Sequence, residues 1–342
     1  MKKTIIFGII LSILAFGCKK DTEKKEPESP AKIIDTTNIK PIEVKENISL
    51  TYDLKKNTTL KFKLTTYQKT SQVLQLDSLI SGYLEQNVEY LVNASIKEKE
   101  SNGNLTIDFY VDKVIADIKS STGESLNYNS DNPPTDSLKK LQTKTFDVIA
   151  KANFSARISP TGEVLDIYRT DSIIDKLIAD APRKPTTEER FQITNDVSQG
   201  LLRPLIQQIF RNVTDKKVNV DSSWTQNYPT QLSVFEIENT AKYTVKKIFE
   251  SNGNKLVEIE GLLTINAKGK QNYTEGNISY KFYKPKVTGT SKSYFDLDKK
   301  CFRTSSSDVT FEVVVDMQQK GDPKIYKRTE KILTKNSVLL IN

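Results

Sequence analysis

The chain contains no histidine, only two cysteines and one tryptophan among its 342 residues. Without imidazole there is no Ser/His/Asp or Cys/His nucleophilic site, no conventional zinc hydrolase site and no side-chain base titrating near neutral pH. Carboxylate pairs, Lys or Tyr acid–base chemistry and oxygen-ligand metals survive that exclusion, but none shows its motif. Asp296-Leu297-Asp298 lacks the remaining ligands and the glycine of a calcium loop, and no glycine run could cradle a phosphate. The sequence therefore reads as a non-catalytic protein with no cofactor and no metal.

Long apolar runs are also missing, except at the start. Lys2 and Lys3 precede an apolar stretch from Ile5 to Phe16, broken by Gly8 and Ser12 and followed by Gly17-Cys18. A basic zone, a short apolar zone and a small residue before cysteine read as a lipoprotein signal peptide, residues 1–17, cut before Cys18. Leu14 stands one place further upstream than the usual pattern, and Phe16 is bulky for its position. Acyl chains on Cys18 would anchor the chain to a membrane without a transmembrane helix. The expected location is the cell envelope, at the outer membrane, on its periplasmic or its outer surface. Once Cys18 is acylated no intramolecular disulfide is possible, which leaves Cys301 as a small apolar residue on a strand.

Residues 18–47 hold balanced charge and almost no large apolar side chain before Ile33, so they are expected to form a flexible tether. Lys19-Lys20-Asp21-Thr22-Glu23 resembles the charged export signals of surface lipoproteins. The net charge of +8 is scattered among acids rather than gathered in a stripe, which argues against a nucleic-acid partner.

From Ile48 the pattern alternates with period two, through Leu50, Tyr52 and Leu54, then Leu60, Phe62 and Leu64, and again over Tyr83–Ile96 and Leu105–Val111. Glu100-Ser101-Asn102-Gly103-Asn104 recurs as Glu250-Ser251-Asn252-Gly253-Asn254, and Asn-Gly between alternating runs predicts a tight hairpin at both. Between 134 and 213 the period becomes helical. One helix opens at Pro133-Pro134-Thr135 with Leu138, Leu141 and Phe146 on one face, and a second near Thr170 or Asp171 gathers Ile173, Ile174, Leu177 and Ile178. Thr186-Thr187-Glu188-Glu189 is a capping box, and beyond it Leu201, Leu202, Leu205, Ile206, Ile209 and Phe210 form an apolar stripe. Strands resume from Val218 to the end, with Phe302–Ser306 and Val309–Met317 read as separate strands.

The implied fold is α+β: a single domain over 48–342, in which a large curved antiparallel sheet carries about three helices inserted mid-chain. A sheet of roughly ten strands must curl or close, and its concave side must be covered. Leu202, Leu205, Ile206, Ile209 and Phe210 are the candidate ligand-binding residues, although a helix packed on a sheet gives the same stripe. The aromatic and basic run Tyr280–Lys286, with Lys292, Tyr294 and Phe295, could contact a glycan, although alternation alone yields a hairpin with one aromatic face buried. Trp224, at a strand start, fits the core better than a ligand platform. Asp77-Ser78-Leu79, Asp136-Ser137-Leu138 and Asp171-Ser172-Ile173 look like short O-glycosylation triplets.

Several segments together resemble a family of Bacteroidota lipoproteins of unknown function. They are the lipobox cysteine, Leu50-Thr51-Tyr52-Asp53-Leu54, Tyr128-Asn129-Ser130, Phe154-Ser155-Ala156-Arg157-Ile158 leading into Ser159-Pro160-Thr161-Gly162, Asp221-Ser222-Ser223-Trp224, and Tyr294-Phe295-Asp296-Leu297-Asp298. The chain departs from that pattern in lacking a glycine before Asp221 and in having Lys300 or Cys301 where a turn glycine often stands. The resemblance implies taxon and anchoring and carries no activity. The layout is also similar to half-barrel lipid chaperones. Two roles follow: a carrier lipoprotein holding a lipid or other apolar ligand, or a structural lipoprotein contacting a glycan or another envelope protein.

Overall fold

The computed structural model describes residues 39–42, 46–181, 183–232, 235–269 and 271–341. Cys18, the leader and most of the expected tether lie outside them. The strands form one antiparallel sheet of 15 strands that does not close into a barrel. In chain order they begin with β1 (Lys40–Pro41), followed by a first meander of β2 (Thr59–Gln75), β3 (Leu79–Lys99), β4 (Leu105–Ser120), β5 (Ser125–Asn129), β6 (Asn153–Ile158) and β7 (Val164–Tyr168). A second meander holds β8 (Ser223–Leu232), β9 (Phe235–Ser251), β10 (Asn254–Gly269), β11 (Asn272–Glu275), β12 (Ile278–Phe282), β13 (Lys286–Asp296), β14 (Cys301–Gln319) and β15 (Tyr326–Leu340). The last strand pairs with the first long one, Val338 opposite Leu64, so the two meanders are joined into one surface. Ile39 and β1, at the end of the expected tether, add to the edge of β9.

Three helical bodies cover one end of this sheet: α1 (Ser137–Ile149), α2 (Asp171–Ile178), and a continuous rod of α3 (Thr187–Asp196), a π turn (Val197–Leu202) and α4 (Arg203–Ile209). The capping box forms as expected: Thr186 accepts from the Glu189 amide at 3.2 Å, and Glu189 accepts from the Thr186 amide at 2.8 Å. The rod widens to π spacing around Gly200, just ahead of Pro204, whose ring nitrogen has no hydrogen to give a helical carbonyl.

Other expectations are corrected. Leu138 and Leu141 are 64% and 69% exposed, and α1 buries Phe146 of the expected face together with Thr143, Val148 and Ile149. The helix starts later, with Asp136 capping the Lys139 amide at 2.9 Å, and only its second half meets the sheet. Leu50, Tyr52 and Leu54 are buried in alternation, yet they lie outside the ladder. Ile48 bridges Val218, and the Tyr52 amide donates to the Pro160 carbonyl at 2.8 Å. Alternation there reflects burial without strand pairing. Ser307 and Asp308 do not break a strand: both are paired on either side, and β14 is continuous for 19 residues.

The repeated pentapeptide makes two different turns. At 250–254 both Asn252 (φ 50°) and Gly253 (φ 75°) are left-handed, as a two-residue hairpin requires. At 100–104 only Gly103 (φ 86°) is, and the loop is wider: the Glu100 amide donates to the Asn104 carbonyl and the Glu100 carboxylate grips Arg157 through two bonds of 2.5 Å. Tertiary context set the turn type that local sequence left open.

Candidate functional site

Cross-strand partners share a face of a sheet, so the registers sort every strand residue into one of two faces. One face is inner, because it holds Leu60, Phe62, Leu64, Val92, Phe109 and Phe154, which lie in the main core under the helices. The candidate stripe is part of that core. Leu202, Leu205, Ile206, Ile209 and Phe210 are all buried, and the Phe210 ring lies 5.2 Å from Tyr52, 6.5 Å from Phe62 and 6.1 Å from Phe109. Side chains of the protein itself fill the space around this stripe.

Beyond the helices the long strands continue, and their inner face remains apolar. On β14 the inner residues are Val309, Phe311, Val313 and Val315, while Asp308, Thr310, Glu312 and Asp316 stand on the other side. Inner neighbours on adjacent strands are Val287 and Ile332, opposite Phe311, and Leu263, opposite Gly289. Further along come Leu84, opposite Thr70, and Ile80, opposite Leu74. On β9 the inner residues Phe235, Ile237, Asn239 and Ala241 are buried and Glu236, Glu238 and Lys242 are exposed, so the surface is sheltered on its inner side. Neighbouring side chains fill the space above two of its glycines. A Cβ on Gly289 would meet Leu263 at 3.0 Å, and one on Gly261 would meet the Tyr243 ring at 3.0 Å. The lining of this trough includes one charged pair, Arg328 and Glu330 on β15, at 2.8 Å.

At the boundary between helical core and trough lies a polar group. Trp224 on β8 stacks on Tyr243 at 5.5 Å, and Arg211 follows the end of α4. The Arg211 carbonyl accepts from the Tyr52 hydroxyl at 2.9 Å, which fixes the main chain. Its side chain has no carboxylate partner among the described residues. Desolvation lowers its pKa, and the nearby Tyr243 and Tyr52 hydroxyls oppose that shift. Arg211 Nε, Gln208 Oε1, Asn212 Oδ1 and Trp224 Nε1 are all buried without a hydrogen-bond partner.

The outer face is charged. It carries the pairs Lys63–Glu89 (2.5 Å), Lys69–Glu85 (3.1 Å) and Lys292–Glu258 (2.8 Å). A shallow, open depression of about 540 Å³ crosses it, lined by Lys242, Lys246, Glu260, Thr290, Lys292 and Asp308 among others. The aromatic and basic run is divided between the two sides. Phe282 and Tyr280 face inward, with Phe282 against Phe235 at 6.3 Å. Tyr294 packs on Phe249 in a small separate cluster at 6.1 Å, and Phe295 is in the main core.

Other sequence candidates have structural positions. Asp296 is buried and accepts from the Asp298 and Lys299 amides at 3.0 and 2.9 Å, closing the β13–β14 turn. Cys301 is a buried thiol whose pKa is pushed up to about 12, chiefly by desolvation and then by Asp296. Of the three Asp-Ser triplets, those at 77–79 and 136–138 end in exposed leucines, and the third ends in buried Ile173. No local sequence signal marked Arg211. A basic residue after an apolar stripe is ordinary, and its isolation from acids is visible only in three dimensions.

No curated protein matches the chain. Among solved structures, one of lipovitellin, described for its lipid–protein interactions, is similar at 10% identity and a TM-score of 0.45, over 84% of this chain. The chain spans only 25% of that lipovitellin chain. An outer membrane channel from Pseudomonas putida F1 is 8% identical with a TM-score of 0.19, covering 87% of this chain and 100% of that one. OpdQ of Pseudomonas aeruginosa is 7% identical with a TM-score of 0.18, covering 82% and 99%. Likenesses of this degree carry no functional weight. The model of the Family of unknown function (DUF6263) matches residues 102–301, more than half of the sequence, and the chain belongs to that family.

Proposed function

We propose that this protein is an envelope lipoprotein, anchored through Cys18 at the outer membrane, with a non-catalytic role as a binder or carrier of an acyl lipid or similar apolar ligand. The observation that carries the reading is the inner face of the sheet beyond the helices. There Val309, Phe311, Val313 and Val315 repeat along one side of β14 where no helix covers them, while the outer side of the same strand carries Asp308, Thr310, Glu312 and Asp316 beside a single valine, Val314. An apolar surface of this kind costs free energy in water unless something is laid upon it. The packed stripe from Leu202 to Phe210 forms the closed end of the trough, and the ligand occupies the open length. A lipid anchor at Cys18 fits this role, since it holds the trough within tether reach of a bilayer.

Native mass spectrometry of the full chain isolated from its own membranes, with extraction of accompanying lipid, tests the reading. A bound acyl lipid that is lost in Phe311→Glu, with the melting temperature kept, is the expected result. No accompanying lipid and no uptake of added palmitate would overturn it. Anchoring is tested separately: labelled palmitate should enter the wild-type chain and not Cys18→Ser. The second reading, a structural lipoprotein docking a glycan, draws on the lysine- and hydroxyl-lined depression of the outer face. It predicts that Lys242→Ala with Lys292→Ala abolishes binding to isolated envelope polysaccharide.

A further inference from the structure

We propose that Arg211 receives the carboxylate of a long-chain monoanionic amphiphile whose acyl chain runs along the inner face of the sheet. This rests on the apolar-face reading above and adds to it a headgroup and an orientation. A half-buried guanidinium whose Nε is cut off from water keeps its charge and normally pairs with a carboxylate or phosphate. Arg211 makes no ion pair or side-chain hydrogen bond among the described residues, and only tyrosine hydroxyls contribute to its electrostatic surroundings. Gln208 and Asn212, close to it along the chain, and Trp224, stacked on Tyr243, each bury a polar atom that also lacks a partner.

Unpaired buried polar atoms are costly, and a guanidinium nitrogen left without a partner calls for one from outside the chain. The amide oxygens of Gln208 and Asn212 exchange with their NH₂ groups by a simple flip, so each is able to donate rather than accept. The position suits a headgroup. Trp224 and Tyr243 lie on the inner face one cross-strand row from Ala241 and Leu263, where the apolar trough begins. A single negative charge neutralises a single guanidinium, and a planar carboxylate matches its fork through two parallel bonds. A phosphate dianion would leave net charge in a desolvated place, so the carboxylate is favoured.

Trp224 is the sole tryptophan and lies at the site, so its emission reports occupancy directly. The experiment titrates the full-length chain carrying Cys18→Ser with palmitate, 1-hexadecanol and hexadecyl phosphate, reading Trp224 fluorescence and confirming stoichiometry by native mass spectrometry. Palmitate should bind roughly 10- to 100-fold more tightly than hexadecanol, the range a hydrogen bond to a charged group supplies. Arg211→Met should bring palmitate down to the hexadecanol level and leave hexadecanol unchanged, while Arg211→Lys should retain part of the preference. Equal binding of palmitate and hexadecanol by the unsubstituted protein overturns the headgroup assignment and leaves the apolar-face reading standing. Binding of neither overturns both. Tighter binding of hexadecyl phosphate than of palmitate overturns the choice of a carboxylate. The palmitate–hexadecanol comparison requires no variant at Arg211, so it decides the matter even if Arg211→Met fails to fold.

Discussion

Strands β2 and β14 are separated only by β15, and they place most of their apolar inner residues at opposite ends. On β2 the apolar residues Leu60, Phe62 and Leu64 lie under the helices, and Thr66, Gln68, Thr70 and Gln72 follow on the uncovered length. On β14 the covered length carries Phe302, Ser305 and Ser307, and the uncovered length carries Val309, Phe311, Val313 and Val315. Burial by the protein's own helices explains β2 completely. It does not explain β14, whose inner face carries a run of apolar residues where no helix covers it. The two strands therefore separate a surface that stabilises the fold from one that serves something else.

The largest expected effect lies on the fold side of that comparison. Phe210→Ala removes a fully buried ring in contact with three other aromatics and should cost about 3–5 kcal/mol in chemical denaturation. A loss below about 1 kcal/mol would mean that the helical end is not the stabilising core. Gly162→Ala tests the main chain beneath the same site. Its φ of +88° and a Cβ only 2.5 Å from the Arg211 carbonyl predict a loss upwards of about 1 kcal/mol, seen as a lowered melting temperature. Thr186→Ala removes the helix cap and should cost about 1 kcal/mol.

Phe311→Ala belongs to the other side. It should change stability by less than about 1 kcal/mol while weakening acyl-ligand uptake, and a loss as large as that of Phe210→Ala would erase the distinction between the two lengths. The smallest effect is one of pH. The Arg183 guanidinium and the Thr186 amide hold the Glu189 carboxyl down to about 2, below its ordinary 4.5. A carboxyl pKa depressed by folding contributes stability above its unfolded value, and that contribution disappears as pH falls through the folded value. Acid titration followed by NMR should therefore place the Glu189 transition near pH 2, and Glu189→Gln should flatten the acid limb only slightly because the pair is exposed.

Much of the fold was legible because short-range chemistry wrote it. The cap at Thr186, the stripe from Leu202 to Phe210 and the meanders on either side of the helical segment all follow from local pattern. The misreadings share a cause. Leu138 and Leu141 were spaced for a buried face, but only the second half of α1 reaches the sheet, so nothing covers them. Leu50, Tyr52 and Leu54 alternate because every second residue is buried, which a loop laid across a core achieves as well as a strand. Ser307 and Asp308 read as a break, but their context is a long pleated ladder. The site was less legible than the fold, since its arginine is distinguished by what does not surround it.

The sequence by itself determined which residues face inward on each strand, where the second and third helices begin, and that histidine-dependent chemistry is excluded, because periodicity, capping and composition are properties of neighbours along the chain. Only the tertiary structure decided that β15 pairs with β2, bringing Asn336 to within 2.9 Å of Thr66 across 270 residues. Backbone hydrogen bonds make that seam, and backbone groups are the same at every position, so no residue pattern specifies the partner. The same seam sets β14 and its apolar inner side beside the polar length of β2, and with it an uncovered trough that ends near an unpaired arginine.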